Sequence, residues 1–247
     1  MSMLARLAAM ALVIGCAAGA DEARATSVSP IQLELTSVGQ TSKSQVTITN
    51  TSDALLPLET ALQVMELDEN GGRKLVPGGE DLLVFPPQAA VPAGGTQVFR
   101  VQWVGEPMLD QSRSYLLSIT QVAVQLPQTK AAVQVVVSFG VIVNVAPPQG
   151  APELKLLGTS IVADKQGKRH PAIMVENATR VHALLQNATI QLSSGSWSQT
   201  LTPSMINDKI GLGLVQPGKR RRVVLPIDLP ADVKSVQANI ELRSRRP

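Results

Sequence analysis

The side chains that most often carry acid–base or metal chemistry are scarce in this sequence. It has two histidines, His170 and His182, and one cysteine, Cys16. Both histidines fall in the second half with no cysteine near them, so a copper site of the His/Cys/Met kind lacks its thiolate. Each reads as an ordinary surface or internally satisfied residue. Residues 213–219, GLVQPGK, have the G-x-x-x-x-G-K spacing of a phosphate loop. The next residue is Arg220 where magnesium needs Ser or Thr, Pro217 removes an amide donor, and a strand pattern follows, so the stretch reads as a turn. No G-x-S-x-G, H-E-x-x-H or paired C-x-x-C occurs, and Glu59, Glu66, Asp68 and Glu69 fall at turn and strand-surface positions. No catalytic residue, metal ligand, cofactor or small-molecule substrate is assigned, and the chain reads as a binding protein, not an enzyme.

Composition agrees with binding through sheets. The net charge of +3 is far from a dense basic face, and no aromatics interleave with Lys and Arg, which excludes nucleic acid as the partner. The basic run 219–222 opens an apolar strand and reads as a charged edge. Hydrophobic residues are 44% and charged residues 17%, enough apolar material for packed cores. With three Phe, two Trp and one Tyr, those cores must be filled by Val, Leu and Ile, whose β-branched members favour pleated sheet.

The N-terminus reads as an export signal over residues 1–25. Arg6 supplies the positive end, residues 7–15 an apolar stretch too short to span a bilayer, and Ala18-Gly19-Ala20 or Ala23-Arg24-Ala25 a cleavage frame. Val13-Ile14-Gly15-Cys16 resembles the lipobox of bacterial lipoproteins, which leaves lipid anchoring at Cys16 as an alternative to cleavage after Ala20 or Ala25.

From Ser27 onward, period-2 segments are separated by turn chemistry every 8 to 12 residues, the pattern of a β-sandwich. Strands are expected over 28–35, 45–49, 58–67, 82–85, 96–104, 115–124 and 131–146. Pro147-Pro148-Gln149-Gly150 then reads as a linker. Further strands are expected over 154–162, 172–177, 183–192, 197–201, 222–227 and 236–242, with almost no helix and no tandem sequence repeat. The fold class is all-β, with two sandwich domains in tandem over 26–147 and 151–247.

One strand is unusual. Residues 131–146 read AAVQVVVSFGVIVNVA, about twice the usual strand length and uncharged. One face carries Val133, Val135, Val137, Phe139, Val141, Val143 and Val145. Such a strand is a central, buried one or, where it lies at an edge, a template for another chain.

Several residues together resemble the periplasmic chaperones of the chaperone–usher pilus pathway. Pro86-Pro87, Val91, Gly94 and Arg100 match the family's Pro-Pro pair, apolar residue, Gly turn and strand arginine without a gap. Arg113-Ser114-Tyr115-Leu116-Leu117 resembles its next strand, and the apolar strand ending at Pro147 the last strand of its first domain. The second half, with Asn177 and the Pro217-Gly218 turn, resembles its second domain more loosely.

The resemblance implies immunoglobulin-like domains, a periplasmic location, and pilus subunits and an outer-membrane usher as partners. It implies that Val133, Val135, Val137 and Phe139 are lent to a subunit lacking a strand, with self-association through the same strand as a further expectation. The family's pair of basic residues that hold the subunit's terminal carboxylate falls near Glu34 and Ile142, neither of them basic. Arg113 and Arg100 are the nearest basic candidates for that grip. A surface-anchored β-sandwich adhesin or structural lipoprotein is the alternative function.

Overall fold

The computed structural model describes residues 26–122 and 136–243. The first half contains β1 (Ser27–Ser29), β2 (Gln32–Thr36), β3 (Lys43–Thr49), β4 (Leu56–Leu67), β5 (Arg73–Pro77), β6 (Leu82–Phe85), β7 (Gln88–Val91), β8 (Thr96–Trp103), β9 (Arg113–Gln121) and β10 (Ser138–Ala146). One sheet has the order β1-β3-β8-β6; the other has β2-β10-β9-β4-β5, with β7 also paired to β4. Alternation decides which residues meet between them. Phe99, Val101 and Trp103 of β8 point inward against Tyr115, Leu117 and Ile119 of β9 and Val141, Val143 and Val145 of β10, all buried. Trp103 and Tyr115 touch with ring centroids 6.3 Å apart. The fold is all-β, two sandwich domains in tandem, as the strand spacing predicts.

The second half contains β11 (Lys155–Ala163), β12 (Arg169–Glu176), β13 (Ala183–Leu184), β14 (Ala188–Ser194), β15 (Trp197–Leu201), α1 (Pro203–Ile210), β16 (Leu214–Val215), β17 (Arg220–Val224) and β18 (Gln237–Leu242). Its sheets are β11-β12-β17, β15-β14-β18 and the short pair β13-β16, closed around a second core that includes Ile173, Val175, Leu185, Ile190, Leu201 and Leu225. A third apolar cluster joins the halves: Met65 with Leu184 and Leu214, backed by Leu67, Ile142 and Leu212.

The described residues add detail to these expectations and adjust some of them. Helix α1 is present: the Thr202 hydroxyl accepts from the Met205 N–H, Pro203 opens the helix, and Gly211 closes it at φ 77°. Eight residues burying one side chain, Ile206, are too few for a helical period to register. β5 and β7 fall outside the expected strands, and Val91 ends β7 and is buried. The described part of the 131–146 strand is a ladder from Ser138; residues 131–135 lie outside the described residues. The longest described strand is β4, with 12 residues.

The domains repeat one device. Asn50, just after β3, donates its side-chain amide to the carbonyls of Ala54, Val91 and Pro92 and accepts from Ser52. Asn177, just after β12, donates to Val181 and Val215 and accepts from Thr179. Each is fully buried and pins an N-x-Ser/Thr turn to the strand that enters a Pro-Gly-type turn, at Pro92 to Gly95 and at Pro217-Gly218. Two such polar positions are too few to register as a tandem sequence repeat. The G-x-x-x-x-G-K stretch ends in that second turn, with Gly218 at φ 67° and Lys219 N–H on the Gln216 carbonyl.

Candidate functional site

β10 lies between β9 and β2, but the two ladders differ in extent. The antiparallel ladder to β9 runs from Ser138 to Val145, while the parallel ladder to β2 covers only Ile142 to Ala146. Among the described residues, 138–141 therefore have no strand on the β2 side. The Gln121 N–H donates to the Val137 carbonyl, and the Ile142 N–H donates to the Ile31 carbonyl. Odd residues thus turn their backbone groups toward β9 and even ones toward β2, which leaves Ser138 and Gly140 presenting theirs at an open edge.

The expected donor residues divide accordingly. Val133 and Val135 lie outside the described residues. Val137 is half-buried, its N–H on the Gln121 side-chain oxygen at 3.4 Å, and Phe139 packs partly against the first core. Both are on the face of Val141, Val143 and Val145. Val136, on the opposite parity, is 47% exposed.

The two arginines are not brought together. Arg113 donates to Asp81 at 2.5 Å, and the buried Tyr115 hydroxyl donates to the same oxygen at 3.1 Å. Desolvation pushes that phenol up to about 12, so it stays a donor at all ordinary pH values. Arg113 lines an open groove with Arg180, Glu106 and Asp110. Arg100 is exposed on β8 beside Gln45 of β3 and Phe85 of β6, in a different groove with Lys43 and Gln40.

The position where a basic residue is expected holds an acid with a built environment. Glu34 Oε1 accepts from Gln32 Nε2 and from Asn144 Nδ2, each at 2.7 Å, and Oε2 accepts from His182 Nε2 at 2.7 Å. Burial alone would raise this carboxyl, but hydrogen bonds and charge from His182, with the Asn144 and Gln32 amides, outweigh it and hold it below its ordinary value. His182 Nδ1 lies 2.9 Å from Ser112 Oγ, and the Ser114 hydroxyl donates to Asn144 Oδ1 at 2.7 Å. Gln186 donates to Gln32 at 3.0 Å. Ile142, the other position, sits in the apolar cluster between the halves. His182 is internally satisfied, as its sequence reading allowed, yet its partner lies 148 residues away and no local pattern points to it.

No family model matches this sequence, and neither does any curated protein. Solved structures do. The class 5 fimbriae chaperone CfaA is 12% identical over 89% of this chain and 100% of its own, at a TM-score of 0.53. The chaperone–tip adhesin complex of CFA/I fimbriae contains a chain 13% identical over 89% of this chain and 98% of its own, at 0.52. The fold is that of fimbrial chaperones. The chaperone YadV adds a third instance, 12% identical over 89% of this chain and 92% of its own, at 0.50. At these identities the likeness is one of fold, and the chemistry of the site rests on its own residues.

Proposed function

We propose that this protein is an exported, periplasmic, non-enzymatic chaperone of fimbrial assembly that pairs its β10 edge with a subunit lacking a strand and hands that subunit to an outer-membrane usher. The observation that carries the reading is the open edge at residues 138–141, next to a sequence that stays apolar on alternate positions back to Val133. A guest strand along that edge gains main-chain hydrogen bonds from Ser138 and Gly140. Alternate side chains give it apolar contact. In an extended chain the parity of Val141, Val143 and Val145 continues through Phe139, Val137, Val135 and Val133. Each of these buried in a guest contributes roughly 1.5–3 kcal/mol, enough in sum to hold an incomplete sandwich without a nucleotide.

Because Glu34 is already committed to His182, Asn144 and Gln32, it offers a guest carboxylate no grip. Arg113 or Arg100 would have to supply it, Arg113 at the cost of sharing itself with Asp81. The test is co-expression with a fimbrial subunit exported by the same cell. Val135→Glu and Val137→Glu variants should be secreted and folded yet recover no subunit on purification; recovery at the wild-type level would refute the donor role.

A further inference from the structure

We infer that the second half of the chain clamps β2 onto β10 and so sets how much of the β10 edge is open. The use made of that edge rests on the strand-pairing function proposed above; the clamp itself is a property of the free chain.

β2 has five residues, is the outermost strand of its sheet, and among the described residues is laddered only to β10, in parallel. A short parallel edge strand is weakly held by its backbone alone. Leu33 and Leu35 bury into the first core, which anchors one face. The opposite face carries Gln32 and Glu34, and both reach the second half: Gln186 donates to Gln32, and His182 donates to Glu34. Glu34 in turn accepts from Asn144 of β10, so one carboxylate ties the edge strand, its neighbour and the second domain together. Both outer members are themselves fixed. Ser112 meets the backbone N–H and the ring of His182, and Ser114 holds Asn144. His182 and Glu34 side chains are only 4% and 12% exposed, so their hydrogen bonds are largely shielded from competing water.

Without the clamp, β2 keeps Leu33 and Leu35 in the core but loses its hold on the second half and lifts more often. Each time it lifts, the open edge lengthens from 138–141 to 138–146. That would offer a guest Ile142 and Asn144 as well. With the clamp, pairing is confined to the upper part of β10, where the apolar alternate residues lie. Gln186 and His182 are thus positioning residues for the edge, acting through β2.

Amide hydrogen exchange on the full mature chain tests this directly. The Ile142 N–H bonds to β2, and Asn144 faces the same way by alternation, whereas Phe139 and Val141 face β9. In His182→Ala, the Ile142 and Asn144 amides should exchange at least about tenfold faster while those of Phe139 and Val141 keep wild-type rates. Gln186→Ala should give a smaller acceleration at the same two amides. His182→Gln, whose amide can still donate to Glu34, should restore protection. Unchanged exchange at Ile142 and Asn144, or acceleration spread evenly over β9 and β4, would overturn the clamp. If His182→Ala does not fold, Gln186→Ala alone decides: selective acceleration supports the clamp and none refutes it. A fimbrial subunit that never pairs with β10, while Ile142 still loses protection in His182→Ala, would sink the function and leave the clamp standing.

Discussion

Asn50 and Asn177 show what a single buried amide does in a chain with few polar core residues. Replacing Asn50 by Ala leaves the Val91 and Pro92 carbonyls and the Ser52 N–H without the partner that satisfies them inside the fold. The expected loss is about 2–4 kcal/mol in urea unfolding for each of Asn50→Ala and Asn177→Ala. Two ionisable residues make opposite predictions with pH. Both ring nitrogens of His170 face acceptors, Asp164 Oδ2 at 3.2 Å and the Ile227 carbonyl at 3.0 Å, and only the protonated ring donates to both. Its pKa is therefore raised above 6.5, chiefly by Asp164 and then by the Ile227 carbonyl. The stability gap between wild type and His170→Gln should be fullest below pH 6.5 and shrink as pH rises through the folded value. The Glu34 carboxyl is held below its ordinary 4.5, so the gap to Glu34→Gln should be full above that pH and fade as pH falls through the lower folded value. Denaturation midpoints at three pH values separate the two. His182 was legible in the sequence as a satisfied residue but not as the partner of Glu34, because nothing in a local pattern encodes a contact between domains.

At the level of elements, what the sequence carried best was parity. The alternation in 131–146 put Val141, Val143 and Val145 on one face, and all three are fully buried. It did not reveal where each ladder ends, since pairing depends on how far β2 reaches and not on β10 itself. Nor did it show α1, whose signal lies in its caps, or β5, whose residues Arg73 to Leu75 are exposed and carry no apolar period. The direction of the Gly140 N–H makes the open edge testable by backbone chemistry alone. Gly140→Pro removes a donor that faces away from β9 at an open edge, a setting in which a strand tolerates proline. A Cβ at that position meets the flexible tip of Leu116 at 3.2 Å. The variant should keep its unfolding midpoint near that of wild type and lose the co-purified subunit. A variant that still recovers subunit would show that pairing does not use this edge.

Over the whole molecule, the two domains are joined at more places than the clamp. The Gln216 amide accepts from the Leu67 N–H and donates to the Met65 carbonyl, both at 2.8 Å, and so takes the place of a strand beside β4. The Arg222 N–H donates to the Glu69 carbonyl at 2.7 Å, and the Arg221 guanidinium lies over Gly71, where a Cβ would meet it at 2.8 Å. Gly71 also has φ 85°, so alanine there is strained twice over. Between these contacts and the clamp lies the cluster of Met65, Leu184 and Leu214, whose burial contributes up to roughly 1.5–3 kcal/mol per side chain. Domains in tandem ordinarily move and melt independently unless their interface is extensive. Here the joined contacts should make the pair unfold as one, with calorimetric and van't Hoff enthalpies in agreement. Gln216→Ala strips two β4 backbone groups of their partner, and Gly71→Ala pushes Arg221 away. Each should split the single calorimetric peak or drive the two enthalpies apart while leaving both cores intact. Two resolved transitions in the wild-type chain would show instead that these contacts orient the domains without coupling their stability.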